Sequence, residues 1–392
     1  MSNVKATSDR MALLDGLRLF AALGVVLFHL TAWHHGYWSG SDGAKSAEMW
    51  PKLSQYTAYG NLGVQLFFII SGLVVFRSLE GKSAKQFVSS RVGRLYPAFW
   101  VAVILTGCLQ LLFWNIPRPD LTWTDLFINL TMVGPPILGT PWIDGVFWTL
   151  WVEARFYLLL LLMTLVFKSK PRAFEWLTLI WPITSTLGMI LTNAYAPVNP
   201  GLELLLMPAF SGLFAGGMLL HIIARHGITR FRCFALSLAL IQSCWASAVT
   251  MPADTFLATG LDIPGWHFAV IVATFYIVVA ILTLSPLRKV GWKTLTIAGA
   301  LTYPLYLLHQ VPGWFLIAQL SPHLPQGITL LIVIVTLLIA AWLVSTLVEN
   351  RFGPPLRRAT LTALQKINAP KEHPTASPAV GVREPSARND KI

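Results

Sequence analysis

Ten apolar stretches, each near the length that crosses a bilayer, recur along this chain: 11–31, 60–79, 96–115, 147–168, 174–193, 205–223, 233–250, 267–284, 295–318 and 326–348. About 20 apolar residues span the hydrocarbon core as a helix. Backbone groups left unpaired in lipid cost too much for any other open structure, so the spans should be helical. The expected fold class is therefore an all-α polytopic membrane protein with about ten transmembrane helices. Composition agrees: 12% of the 392 residues are charged and 55% hydrophobic, where soluble domains carry about 25% charged residues. The stretch 205–223 is Gly-rich, and 295–318 contains Pro304 and Pro312.

The basic residues alternate with these stretches. One set of segments holds Lys5 and Arg10, then Arg77, Lys82, Lys85, Arg91 and Arg94, then Lys168, Lys170 and Arg172. Arg225, Arg230 and Arg232, then Arg288, Lys289 and Lys293, and the eight basic residues from Arg351 onward complete 24 of the 29. The opposite segments hold Lys45, Lys52 and Arg118. Cytoplasmic loops are the ones enriched in Lys and Arg. Both termini are thus expected in the cytoplasm, with the chain multi-pass in the cell (inner or plasma) membrane and membrane lipids its surroundings. Topology accounts for the net charge of +12, so no nucleic-acid partner is called for. Cys108, Cys233 and Cys244 show no CxxC or His-rich spacing, so no metal site is expected.

The segments expected outside carry Asp42, Glu48, Asp120, Asp125, Asp144, Asp254 and Asp262 among Trp33, Trp38, Trp50, Trp123, Trp142 and Trp266. Tryptophan at this depth commonly anchors the interface, and tryptophan with carboxylates also suits sugar binding. Residues 1–352 are expected to form one membrane domain. Residues 353–369 should be a basic juxtamembrane segment on the inner surface, and 370–392 a disordered cytoplasmic tail rich in Pro, Ser and charge.

The first span, MALLDGLRLFAALGVVLFHLT, carries Asp15, Arg18 and His29. Arg18 and His29 are 11 residues apart, which places them within roughly 20° on one helix face and about 16 Å apart along the axis. Ionisable groups at membrane depth usually face a cavity or a partner. With the topology above, Arg18 falls in the inner half, while His29, Glu153, Arg155 and His309 fall towards the outer ends of their spans, with Glu203 at the mouth of another. Two histidines and one or two carboxylates at one level have the composition of a general acid/base centre. Each also has a structural reading. His29 can be an interfacial histidine, Arg18 can pair with Asp15 at i,i+3, and Glu153 with Arg155 can join two helices. Arg91 and Arg94, in RVGRLYP, are explained by topology or by bidentate contacts to phosphate.

The segments LDGLRLFAALGVVLFH, GVQLFFIISGLVV, RVGRLYP, FWTLWVEARFY and TYPLYLLHQ occur in this order. Together they strongly resemble the acyltransferase-3 family of integral membrane acyltransferases over roughly residues 11–352. The family's N-terminal Arg and His match Arg18 and His29, its RxxR motif matches Arg91 and Arg94, its WxLxxExxFY glutamate matches Glu153, and its YLxH histidine matches His309. Glu349, in LVEN, resembles a C-terminal glutamate. Gln65 stands where many members have Asp. Some members carry a C-terminal SGNH hydrolase-like domain, for which the sequence after residue 352 is expected to be too short.

The resemblance implies transfer of an acyl group, with acetyl from acetyl-CoA the expected one, to a hydroxyl of an extracytoplasmic carbohydrate such as a polysaccharide, lipid-linked oligosaccharide or glycoside. It also implies catalytic roles for His29, Glu153 and His309 and acyl-CoA binding by Arg18, Arg91 and Arg94. His29 would act as general base or carry the acyl group itself. The alternative class is a polytopic transporter of a glycan, lipid or anion with no covalent chemistry.

Overall fold

A computed structural model of the protein describes residues 11–38, 45–114, 118–168, 170–195 and 206–367. Glu203, Asp42, Lys5, Arg10 and the segment 370–392 lie outside the described residues. Among the described residues the regular structure is entirely helical, without strands. The first helix α1 (Ala12–Leu27) runs straight into a π-helical turn, Phe28–Ala32. Then come α2 (Gly63–Leu79), α3 (Ala84–Cys108), α4 (Trp148–Phe167) and α5 (Pro171–Tyr195). They are followed by α6 (Ser211–His226), α7 (Arg230–Thr259) and α8 (Gly265–Leu284). The last four are α9 (Lys293–Leu308), α10 (Val311–Leu320), α11 (Gln326–Leu343) and α12 (Asn350–Ile367).

Eight helical segments among the described residues are long and apolar enough to cross a membrane, against ten expected. The two differences have local causes. The stretch 205–223 contributes α6, which is only 16 residues long. It survives at that length because it is the bundle's centre, buried continuously from Ser211 to Ile223. Its glycines let backbones touch: a side chain at Gly217 would meet the carbonyl of Ile69 on α2, and one at Gly216 the ring of Tyr276 on α8. The Tyr276 hydroxyl donates to the Gly212 carbonyl at 2.7 Å, so this Gly face serves packing within the chain. The stretch 295–318 is broken after Leu308, and α10 restarts at Val311 with proline in its first turn. Proline has no N–H and is favoured at a helix start, so Pro312 sets the restart and leaves His309 at the break.

The third span begins earlier than expected. Ser83 and Gln86 form a reciprocal cap, with the Gln86 N–H to Ser83 Oγ at 3.3 Å and the Ser83 N–H to Gln86 Oε1 at 2.9 Å. That capping box starts α3 at Ala84, so Arg91 and Arg94 stand on a helix that continues through Pro97. Leu162, Leu165, Ile180, Leu187, Ile241, Ile277, Ile281, Leu331 and Ile339 are exposed on the outer surface of the bundle, the apolar belt that a lipid environment solvates. Of the basic juxtamembrane segment, residues 353–367 fall within α12, which packs along α3.

Candidate active site

A cavity of about 910 Å³ opens at the end of the bundle where α2, α3 and α12 meet. Its walls carry seven basic side chains, Arg18, Arg77, Lys82, Arg91, Arg94, Arg357 and Arg358, against three carboxylates, Asp15, Glu153 and Glu349. Arg94 lies 3.5 Å from Glu349, which sits on a second π turn, Val344–Glu349. The guanidinium of Arg91 stands over the rings of Phe87 and Tyr157 at 5.8 and 5.7 Å. Aromatic faces of this kind hold an arginine without neutralising it. An anionic ligand would find net positive charge in a confined space, where its electrostatic attraction is strongest.

Deeper in the bundle, a chamber of about 60 Å³ shares Arg18, Ser71, Glu153 and Tyr303 with the large cavity and adds Phe67, Thr149 and Tyr306. Glu153 accepts from the Ser71 hydroxyl at 2.7 Å, and Tyr157 stands beside both Glu153 and Arg91. Arg18 has Asp15, Glu153 and Arg94 as its charged neighbours. Glu153 therefore belongs to the arginine level of the path, not to the histidine level at which its depth in the sequence placed it. Arg155 is two residues on and points elsewhere, over the Trp151 ring at 5.7 Å, because residues i and i+2 do not face one way on a helix.

The chamber ends under Tyr306, whose hydroxyl pairs with that of Thr149 at 3.0 Å. Behind it lie the two histidines, brought together because α1 packs along α9. His309 Nε2 is 3.1 Å from His29 Nδ1, and His309 Nδ1 is 2.7 Å from the Tyr306 carbonyl. A carbonyl only accepts, so in the neutral ring Nδ1 of His309 carries the proton and Nε2 offers its lone pair to His29. His29 Nδ1 also faces the Val25 carbonyl at 2.9 Å. With acceptors on both sides, Nδ1 of His29 must hold its proton, which leaves the lone pair on Nε2. The ring is stacked on Trp33 at 5.3 Å, and the backbone carbonyl of His29 accepts from Trp314 Nε1 at 2.9 Å. Such an imidazole, fixed in one tautomer with its far nitrogen basic, is equipped to take a proton or to attack a carbonyl.

The roles of several residues in this arrangement escaped the sequence reading, which counted Asp144 only among the outer carboxylates. Asp144 caps the turn before α4, accepting from Val146 N at 3.2 Å, and reaches across to Val311 N at 3.1 Å. It thereby ties down the break that presents His309. Burial pushes its carboxyl up to about 7, against the two backbone N–H groups that favour its charge. The usable signal was an N-capping residue placed just before a span. Ser71, Tyr157 and Tyr303 stand within the segments GVQLFFIISGLVV, FWTLWVEARFY and TYPLYLLHQ, but no role was read for them, because one tyrosine or serine in an apolar run is commonplace. Among the described residues no group of His, Cys, Asp or Glu is placed to hold a metal.

Residues 11–346 match the family described as acyltransferase domain. Nodulation protein 10 of Rhizobium leguminosarum bv. viciae is 26% identical over 326 residues, which cover 78% of this chain and 83% of that protein. O-acetyltransferase OatA of Staphylococcus aureus is 27% identical over 188 residues, 41% of this chain but only 26% of OatA. Acyltransferase MdmB of Streptomyces mycarofaciens is 29% identical over 177 residues, 43% of each chain. No solved structure matches the chain.

Proposed function

As this chain belongs to the acyltransferase domain family and is a multi-pass membrane acyltransferase, we propose that it carries an acyl group, acetyl from acetyl-CoA, across the membrane to a hydroxyl of an extracytoplasmic or lipid-linked carbohydrate. The observation that supports this best is the polar column. It starts in the cation-rich cavity, narrows between Arg18 and Glu153, and stops beneath Tyr306 against the His309–His29 pair. The basic end of the bundle faces the cytosol in this reading, as does each terminus, in keeping with the distribution of Lys and Arg.

Coenzyme A is too polar to cross lipid, so its phosphates bind at Arg91 and Arg94 and its thioester arm reaches inward past Arg18. His29 Nε2 takes the proton of the acceptor hydroxyl as the oxygen attacks the thioester carbonyl. The carbon–sulfur bond then breaks, and the leaving thiolate takes up the proton that His29 holds. In the covalent variant, Nε2 itself attacks the thioester, the carbon–sulfur bond breaks to release the thiolate, and the acyl-imidazole hands the acyl group to the acceptor hydroxyl, whose proton the thiolate or the freed imidazole takes. Arg18 keeps its charge throughout and steers the donor arm along the path. Glu153 orients Arg18, and His309 orients His29. An O-acetyl product agrees with the name of the relative OatA.

Purified full-length protein incubated with acetyl-CoA and a panel of oligosaccharides tests the reading. Release of free CoA thiol that depends on acceptor, and that disappears in His29→Ala, is the expected result. Glycan movement into sealed vesicles without any thiol release would mark a transporter instead.

A further inference from the structure

Helix α12 begins beyond the residues that match the family, 11–346, yet it forms a wall of the large cavity. A glycine crossing brings it there. A Cβ on Gly93 would lie 2.7 Å from the Cβ of Arg357 and 2.8 Å from the Gly353 carbonyl, and a Cβ on Gly353 would lie 2.8 Å from the Gly93 carbonyl. Pro97, one turn on, has no N–H to give the Gly93 carbonyl its helical hydrogen bond, so that side of α3 stands open to the second backbone. The glycine between the two arginines of RVGR is thus the contact that seats α12. Arg357 is consequently held over the same turn of α3 that carries Arg91.

Lys82 approaches the same corner from the turn between α2 and α3. Burial holds its ammonium below the usual lysine value, and then Arg91 and Arg357 push it further down. The three carboxylates of the cavity are engaged elsewhere: Glu349 with Arg94, Glu153 with Ser71, Tyr157 and Arg18, and Asp15 beside Arg18. Three cations converging on this corner of the cavity from separate elements suit a compact dianion, which each can contact by charge-assisted hydrogen bonds.

We infer that Lys82, Arg91 and Arg357 form a subsite for a phosphomonoester, and that on the donor proposed above this group is the 3′-phosphate of coenzyme A. Arg94 then remains, with Arg91 shared, for the diphosphate. The identification of the phosphate rests on the acyl-CoA reading; the anion subsite itself does not. The site would select free acyl-CoA over donors that end in phosphopantetheine without the 3′-phosphate.

Two measurements on the full-length protein in detergent test this. The first compares KM for acetyl-CoA and acetyl-3′-dephospho-CoA by thiol release. The expected preference for acetyl-CoA is roughly tenfold to a hundredfold, the range of lost charged hydrogen bonds. Arg357→Ala should erase the preference by raising KM for acetyl-CoA alone, Arg357→Lys should restore part of it, and Arg351→Ala, outside the cavity on the same helix, should change nothing. Equal use of both donors by the unaltered protein, or equal weakening of both by Arg357→Ala, overturns the inference while leaving acyl transfer intact. The second compares binding of 3′-AMP, which carries the phosphomonoester, with binding of adenosine, without turnover. Arg357-dependent preference for 3′-AMP in a protein that releases no thiol would keep the subsite and refute acyl transfer. No preference there refutes the subsite.

Discussion

Replacing His309 should slow the reaction far less than replacing His29, and the structure sets the difference. His309 contributes to His29 one acceptor for the Nδ1 proton, at 3.1 Å. The Val25 carbonyl at 2.9 Å is a second acceptor that survives the substitution. Losing one neutral hydrogen bond of a redundant pair costs about 0.5–1.5 kcal/mol, or roughly 2- to 12-fold in rate. His29→Ala removes the base itself, for which losses of about 10²–10⁴ are typical. His309 is fully buried, so His309→Gln, which fills the space and keeps an acceptor oxygen, is a better probe than alanine. The assay is kcat for acceptor-dependent thiol release on the monodisperse fraction, with KM for acetyl-CoA measured alongside. The expected pattern is a His309→Gln rate within about tenfold of the unaltered protein, an unchanged donor KM, and near-complete loss in His29→Ala. A His309→Gln loss as deep as that of His29→Ala would refute the positioning role and place His309 in the bond-making step. An active His29→Ala would refute the assignment of the base altogether.

Arg91→Ala combined with Arg94→Ala should raise the donor KM by about a hundredfold or more, from lost phosphate contacts, while the acceptor KM stays put; substrate titrations separate the two. His35 donates from Nε2 to the Leu30 carbonyl at 3.2 Å and accepts from Tyr37 N at 3.1 Å, which only the neutral ring can do. Burial lowers it from 6.5 to about 4, so its contribution to stability is complete above pH 6.5 and is lost as pH falls towards 4. The full loss is about 3 kcal/mol, and thermal unfolding of the unaltered protein and His35→Gln between pH 4 and 7 should converge at the acid end. Gly217→Val would drive a side chain into the backbone of α2 at Ile69; destabilisation by about 1–3 kcal/mol or more should appear as a lower unfolding temperature in detergent.

Most spans were legible because an apolar run of membrane length has few other uses, and α1, α2, α4, α5, α7, α8 and α11 all fall on expected stretches. The failures share a cause. A hydropathy window measures apolar length, whereas α6 is short because protein rather than lipid surrounds it, and α9 stops where Pro312 imposes a new start. The onset of α3 was written in the Ser83–Gln86 box, but the basic residues after it were read as loop charge. At the site, counting residues along each span gave depth and so brought His29 and His309 to one level. Depth counted from the end of a span does not fix how neighbouring helices are staggered, and Glu153 stands at the level of Arg18 and Ser71. The role of α12 was hidden further, since its place in the cavity depends on Gly93 and Gly353, whose meaning appears only when the two helices cross.

The π turn at Phe28–Ala32 also bears on how one helix can serve both ends of the path. Arg18 and His29 share α1, so their separation of about 16 Å is fixed by helical rise and does not change when the rest of the bundle shifts. What a regular helix cannot adjust is the direction of the second residue once the first is set. A π turn adds a residue and rotates everything beyond it, and such turns recur at functional sites. Here it begins one residue before His29 and is closed by the Trp33 N–H on the Phe28 carbonyl at 2.9 Å. The backbone can thus turn the imidazole onto His309 without disturbing Arg18 in its chamber. Glu349 is presented to Arg94 from a second π turn at the opposite end. At each end of the path, a local irregularity aims the polar side chain while the regular helix on either side holds the bundle together.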